Sequence, residues 1–335
     1  MLVDFVRSAT PKPTIVYDTY WRFAAERQRV FVRRAAGAPA PWTTDVILCR
    51  HRFTNVYRVL DRVSQFLIRS VIYHGSQDLS EIFFRTILFK IFNRVETWQR
   101  LTDNLGELTW AGYDFKKYDF ILTSAMSDGV KIFSPAYIMP SGKTQFGGMR
   151  KHRNYLFLLE RMMAEHVPER LAFSSSMQDA FTILRSYPLL GDFLAYQYLI
   201  DLNYGEAMSF SEMDFVVAGP GAKSGLKKCF TTLGDLSPVD AIRWVADNQE
   251  ENFSRLDLEF QTLCGRRLQL IDCQNLFCEV DKYARVKHPE FSGKDQRFRI
   301  KRRFQPNNST LEYWFPPKWG LAATAGPIPK LASCV

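Results

Sequence analysis

The sequence predicts a mainly α-helical protein, and three observations carry that expectation. Apolar residues recur at i, i+3, i+4 and i+7 through most of the chain. Pro and Gly punctuate those runs at intervals suited to short helices. Alternating strand patterns are few, and no internal repeat is found. The chain has 335 residues, 46% of them hydrophobic and 14% aromatic, enough for a sizeable core; the 24% that are charged argue against disorder over most of the length.

Taken in order, residues 1–16 read as a flexible arm, 17–304 as one helical domain and 305–335 as a Pro-rich tail. A helix over Tyr17–Arg34 interleaves Tyr20, Trp21, Phe23, Val30 and Phe31 with Arg22, Arg27, Arg29, Arg33 and Arg34. At helical spacing its aromatics belong to the core and its arginines to a solvated or DNA-facing side. Gly37 to Pro41 ends it. Val56, Val59, Leu60, Val63, Phe66, Leu67 and Val71 keep one amphipathic rhythm, predicting a long second helix, and Ile82 to Val95 predict a third over about 80–101. One short helix is expected within 106–124, an extended segment or strand over Val130–Tyr137, and a helix over Met149–Val167. Short helices follow at 174–187, 190–203, 222–230 and 237–249, and the last runs over Asp272–Lys287.

Lys and Arg number 44 against 35 Asp and Glu, a net charge of +9, which favours a polyanionic partner, nucleic acid before membrane. No run of about 18 uninterrupted apolar residues is present, so no membrane partner is expected. The six cysteines and five histidines show no metal-ligand spacing, so no metal is expected; free thiols and the lack of a signal-peptide core suggest a reducing, cytoplasmic setting.

The most distinctive stretch is 209–230. An apolar run, Phe215 to Val217, enters Gly219-Pro220-Gly221, and a basic helix with Lys223, Lys227 and Lys228 leaves it. Glycines allow close backbone approach, and a helix N-terminus offers unpaired N–H groups to an anion. The stretch therefore reads as a helix-hairpin-helix element gripping a nucleic-acid backbone through Gly219, Gly221, Lys227 and Lys228, or as an ordinary Gly-rich helix junction. Lys223 and Asp240 are the catalytic candidates, as nucleophile and charge stabiliser at a flipped base. The competing reading of Asp240 is a helix start, with Ser237 as N-cap, Pro238 at the first position and the acid at the third.

Two further constellations suggest a base pocket. Trp42, Asp45, Arg52, Thr54, Asn55, Arg58 and Asp61 mix a stacking surface with groups that read base edges, or serve buried structural hydrogen bonding. Asn275, Glu279 and Lys282 share a face of the last helix, as site lining or as a surface ion-pair ladder. Residues 294–304 hold six cations and one acid, and Arg297, Arg299, Lys301, Arg302 and Arg303 are the expected phosphate contacts there. Ser141-Gly142-Lys143-Thr144 resembles the end of a P-loop, but the pattern requires a glycine where Tyr137 stands. No cofactor is evident, and ATP enters only on a kinase reading.

Four segments together resemble one family: Trp21 to Gln28; Pro41-Trp42-Thr43 with Arg52 to Arg58; Asp214 to Ala222; and Gln274 to Tyr283. They are similar to the helical domain named for 5-hydroxymethyluracil DNA kinases, also called the α-glutamyl/putrescinyl-thymine pyrophosphorylase group, of phage thymine-hypermodification systems. The resemblance spans about residues 17–304. It implies a helical fold like that of helix-hairpin-helix DNA glycosylases, here with a basic C-terminal extension. It also implies work on a modified pyrimidine in double-stranded DNA. Some of those glycosylases carry a lysine after the hairpin turn and an aspartate further on, which the resemblance places at Lys223 and Asp240. Three functions follow as expectations. The chain takes part in modifying a flipped 5-hydroxymethyluracil-type base, with a separate enzyme supplying nucleotide chemistry; or it excises such a base as a glycosylase; or it only binds DNA.

Overall fold

The computed structural model describes residues 10–137, 139–291, 299–305 and 313–321. Among these, fifteen α-helices are joined by turns, 3-10 and π segments, with one two-stranded sheet. In chain order the helices are α1 (Ile15–Ala35), α2 (Val46–Arg50), α3 (Arg62–Leu67), α4 (Leu79–Phe92) and α5 (Val95–Leu105). Next come α6 (Phe115–Ser127), α7 (Lys143–Phe146), α8 (Lys151–Ala164), α9 (Val167–Ala172) and α10 (Met177–Arg185). The last five are α11 (Asp192–Leu202), α12 (Pro220–Cys229), α13 (Pro238–Asp247), α14 (Gln249–Arg255) and α15 (Leu270–Lys287). The sheet pairs β1 (Lys12–Pro13) antiparallel with β2 (Phe230–Thr232). The helical class read from the sequence is the observed one.

Where the sequence offered one domain over 17–304, the chain divides into two compact units. The first draws its described residues from Met1–Asp61, Val216–Tyr313 and Leu321–Val335; the second from Arg62–Phe215 and Trp314–Gly320.

In the first unit α1 lies at the centre. Thr14 caps it, its hydroxyl accepting the Val16 N–H at 3.1 Å and donating to the Lys228 carbonyl at 2.6 Å. The aromatics of α1 are core, as their spacing predicts. Tyr20 packs on Phe277 of α15 with ring centroids 4.7 Å apart, and Trp21 on Phe253 of α14 at 4.9 Å. Each such aromatic removes a large apolar area from water. Helix α12 lies against α15 so closely that a Cβ on Gly225 would stand 2.2 Å from the Phe277 carbonyl oxygen, and one on Gly221 2.8 Å from the Cys278 sulfur.

In the second unit α4 is buried almost all round, from Ile82 to Phe92, Arg85 and Lys90 included. Its charges are matched. Lys90 Nζ lies 2.9 Å from an Asp201 carboxylate oxygen and 2.8 Å from Asn93 Oδ1. Arg85 donates to the carbonyls of Val71 and Ile72, at the end of a π-helical turn, and to that of Ser76 beyond it.

Two expected long helices are divided. The segment over 56–72 becomes a 3-10 turn at Arg58–Leu60, then α3, then the π-helical turn Ile68–Ile72. The third helix splits into α4 and α5 at Asn93, which takes the left-handed conformation at φ 47°, a conformation asparagine tolerates. Val130–Tyr137 forms bends rather than a strand.

Candidate functional site

A cavity of about 360 Å³ opens in the first unit beside α1. Positions 27, 30, 31 and 34 fall on one helical face, and α1 turns Arg27, Val30, Phe31 and Arg34 into the cavity. Trp42, Phe53 and Phe304 complete the aromatic wall, and His51 and Asn55 add polar groups. Trp42 is fixed by its indole N–H, which donates to the Ala38 carbonyl at 2.7 Å. The Arg34 guanidinium lies 5.7 Å from the centre of the Trp42 ring, a cation–π distance.

The polar wall is built on residues 54 and 55. Arg27 Nε donates to the Thr54 carbonyl at 3.0 Å and Arg27 Nη2 to Asn55 Oδ1 at 2.7 Å. The Thr54 N–H donates to Glu279 at 3.3 Å, and the Asn55 N–H to Asp61 at 2.9 Å. Asn55 Nδ2 donates to the Leu60 carbonyl at 2.7 Å. Two successive amides are thus held by carboxylates from two different segments, while a guanidinium holds the carbonyl side. Burial pushes the Asp61 carboxyl up to about 6; the Asn55 N–H and the nearby Arg27 and Arg58 charges pull against that rise, and Glu279 adds to it.

A basic ribbon lies at the same place. The Arg52 N–H donates to the Arg302 carbonyl at 3.1 Å and the Phe304 N–H to the Arg50 carbonyl at 3.0 Å, and His51 bridges Arg303 in antiparallel fashion. Arg50, Arg52, Lys301, Arg302 and Arg303 are exposed, so the ribbon that delivers Phe304 to the cavity also carries a row of cations. Arg299 is exposed just before it, and Arg297 lies outside the described residues.

The other candidate residues fall as follows. Trp42 and Asn55 line the cavity. Asp45 caps α2, accepting the Ile47 and Leu48 N–H groups at 2.8 and 3.0 Å, and takes the Tyr283 hydroxyl on its second oxygen. Arg58 is buried, and its backbone N–H donates to Asp272 at 2.8 Å. Glu279 is buried beneath the polar wall and pairs with Lys282 at 2.5 Å, and Asn275 stands half-buried on the same helix; none of the three lines the cavity.

The 209–230 stretch reads from the sequence either as a helix-hairpin-helix element or as a Gly-rich helix junction. Residues 203–219 hold turns and bends but no helix, so α12 is entered from coil and no second helix precedes the Gly219-Pro220-Gly221 turn closely. The room left by Gly221 is filled by Cys278 of α15 rather than kept open. Lys228 is buried; its ammonium lies 3.0 Å from an Asp281 carboxylate oxygen and donates to the Asp281 carbonyl at 2.9 Å. Its charge is therefore turned into the α12–α15 contact and not toward a phosphate. Lys223 and Lys227 are exposed. Asp240 is exposed and closes a capping box: Oδ2 accepts the Ser237 N–H at 3.2 Å and the Ser237 hydroxyl at 2.6 Å, and those bonds hold its carboxyl below the ordinary value. Neither Asp240 nor Lys223 lines this cavity. The Ser141–Thr144 run leads into the four-residue α7, and the space beside Gly142 is taken by Leu189 and Asn154.

Arg27, Phe31, Arg34, His51 and Phe304 were not among the site residues expected, whereas Asp61 belonged to the constellation read as a base pocket. The signal for Arg27, Phe31 and Arg34 lay in their shared helical face, and that for Phe304 in its place at the end of the basic run. No group of His, Cys, Asp or Glu suited to a metal is found among the described residues. Nor is any described helix long and apolar enough to cross a membrane.

A family model described as the 5-hmdU DNA kinase helical domain matches residues 14–293, which include both described walls of the cavity except Phe304. A 5-hmdU DNA kinase of Bacillus phage SP10 is 27% identical over 291 residues. That alignment covers 80% of this chain and 45% of the phage protein, so the chain spans about half the length of that relative. No solved structure matches the chain.

Proposed function

The chain belongs to the family of the 5-hmdU DNA kinase helical domain, and from that premise we propose that it binds DNA and takes part in modifying the C5 substituent of a 5-hydroxymethyluracil-type base. The observation that carries the reading is the aromatic cavity beside α1 with the basic ribbon next to it. A base inside a duplex cannot be reached by an enzyme, so it must be extruded, at a cost of a few kcal/mol. Phe31, Trp42, Phe53 and Phe304 offer it apolar and stacking surface in place of its neighbours in the helix. Arg27, Arg34, His51 and Asn55 supply polar groups for its edge and substituent. Arg50, Arg52, Arg302 and Arg303 sit where they would hold the flanking phosphates.

On this reading the chain presents the base, and a separate nucleotide-binding enzyme supplies any phosphoryl group. The one nucleotide-like run, Ser141–Thr144, has neither the required glycine nor a preceding strand. The setting would be the cytoplasm of an infected cell.

Duplexes carrying thymine, 5-hydroxymethyluracil or a glucosylated base test the proposal. They are incubated with the protein, with and without ATP and a phage-infected cell extract, and their nucleosides are analysed by mass. A mass gain on 5-hydroxymethyluracil that needs this chain supports it. An abasic site without ATP would replace it with base excision. Salt-dependent binding alone, with no preference among the duplexes, would leave a DNA-binding module.

A further inference from the structure

We infer that Asp61 is a positioning residue for the cavity: by holding the Asn55 amide and facing the Arg27 guanidinium, its charged carboxylate sets the two polar side chains that meet the ligand. The inference rests on the cavity being the base site proposed above.

Among the described residues, the following groups bear on Asp61. From α1 comes Arg27; from the 54–60 segment come the Asn55 N–H, at 2.9 Å, and the Arg58 charge; from α15 comes Glu279; and from the C-terminal segment comes Tyr313. Glu279 is already engaged by the Thr54 N–H and by Lys282. Arg58 is buried, with its backbone held by Asp272. Tyr313 packs its ring against Phe31 at 5.0 Å. Of Arg27 and Arg58, then, Arg27 is the one that also lines the cavity.

The consequence follows from charge. With Asp61 ionised, the Arg27 guanidinium has a nearby counter-charge and stays in its fork over Thr54 O and Asn55 Oδ1. With Asp61 neutral, the Asn55 amide bond weakens and Arg27 loses that anchor, so both groups are free to turn away from the ligand. Asp61 itself does not line the cavity, and its action is through Arg27 and Asn55.

The test uses the full chain and the variants Asp61→Asn and His51→Gln. Asp61→Asn keeps an acceptor for the Asn55 N–H and removes only the charge. The first readout is the NMR signal of Arg27 Nε–H and of the Asn55 amide as pH is taken through about 6. Both should shift together in the wild type and in His51→Gln, and neither should shift in Asp61→Asn. The second is the preference for a duplex with one 5-hydroxymethyluracil over the thymine duplex. It should fall about tenfold on acidification in the wild type, the scale of one hydrogen bond to a charged group. Asp61→Asn should show the acid value at every pH.

Signals that do not titrate in the wild type, or that still titrate in Asp61→Asn, overturn the inference whatever the DNA does. A preference that stays constant with pH while the signals move also overturns it. A wild type with no preference at any pH instead removes the base-site reading, and the NMR titration then decides by itself whether Asp61 sets Arg27 and Asn55.

Discussion

Replacing Gly225 with alanine is the sharpest test of how the first unit is held together. The new methyl carbon would lie 2.2 Å from the Phe277 carbonyl oxygen, 2.8 Å from its carbonyl carbon and 3.0 Å from its Cβ. Two of those atoms are backbone of α15 and cannot rotate away, so α12 and α15 must separate. Alanine by itself favours a helix over glycine by about 1 kcal/mol. Overpacking a tight contact costs about 1–3 kcal/mol, and a backbone obstacle belongs at the upper end. The net expectation is a loss of about 2 kcal/mol, or a melting temperature lower by roughly 4–8 °C. Gly221→Ala is the built-in comparison. Its methyl would meet the Cys278 sulfur at 2.8 Å and the Cys278 Cβ at 3.2 Å. That thiol can turn, so the loss should stay below about 1 kcal/mol. Thermal unfolding followed by circular dichroism ranks the two. A Gly225→Ala protein melting with the wild type, or above it, would refute the close-packing argument.

Three further outcomes are expected. Burial pushes the Asp281 carboxyl up, yet the bonds from Arg285, Lys228 and Ser224 outweigh it and hold the group below the usual carboxylate range. Its stabilisation is therefore present above the unfolded carboxylate pKa and lost as pH falls through the depressed folded value. Asp281→Asn should destabilise the protein at neutral pH, with the gap to wild type closing in acid; a constant gap in acid titrations followed by fluorescence would contradict this. Asp240→Ala opens the capping box at an exposed helix start. It should lower the melting temperature slightly and leave base modification intact, and lost modification in a folded variant would restore Asp240 as a reacting group. Arg302→Ala with Arg303→Ala should make the slope of log affinity against log salt shallower by about 0.9 for each phosphate contact removed; an unchanged slope would take the ribbon out of the interface.

The sequence was most readable where one element decides the outcome alone. The aromatic stripe of α1, the capping box of Ser237 and Asp240, and the Glu279–Lys282 pair all follow from local spacing, and all are present. Long-range partners were not readable. Nothing near Glu279 in the chain says that it holds the Thr54 amide, and nothing near Phe304 says that it meets Trp42. Gly221 and Gly225 show why one residue type supports two readings. A missing Cβ admits a phosphate or a neighbouring helix equally well, and here the atoms that approach belong to Cys278 and Phe277. Apolar rhythm also carried across Asn93, because α4 is buried on every side and its pattern has no polar face to mark an end. The unit boundaries at Asp61 and Val216 come with no change in composition, so they left no trace.

The unit that holds the cavity is encoded in three stretches, and most of the other unit, Arg62–Phe215, falls between the first and the second. During synthesis α1 therefore emerges well before α14 and α15, the surfaces that cover Trp21 and Tyr20. Until those helices arrive its aromatic face has no lasting partner, whereas most of the intervening unit has its own contacts in hand. A fragment stopped ahead of Gln249 would carry that uncovered face permanently. Shortened versions of this protein should accordingly be cut around the inserted unit, not partway through the chain.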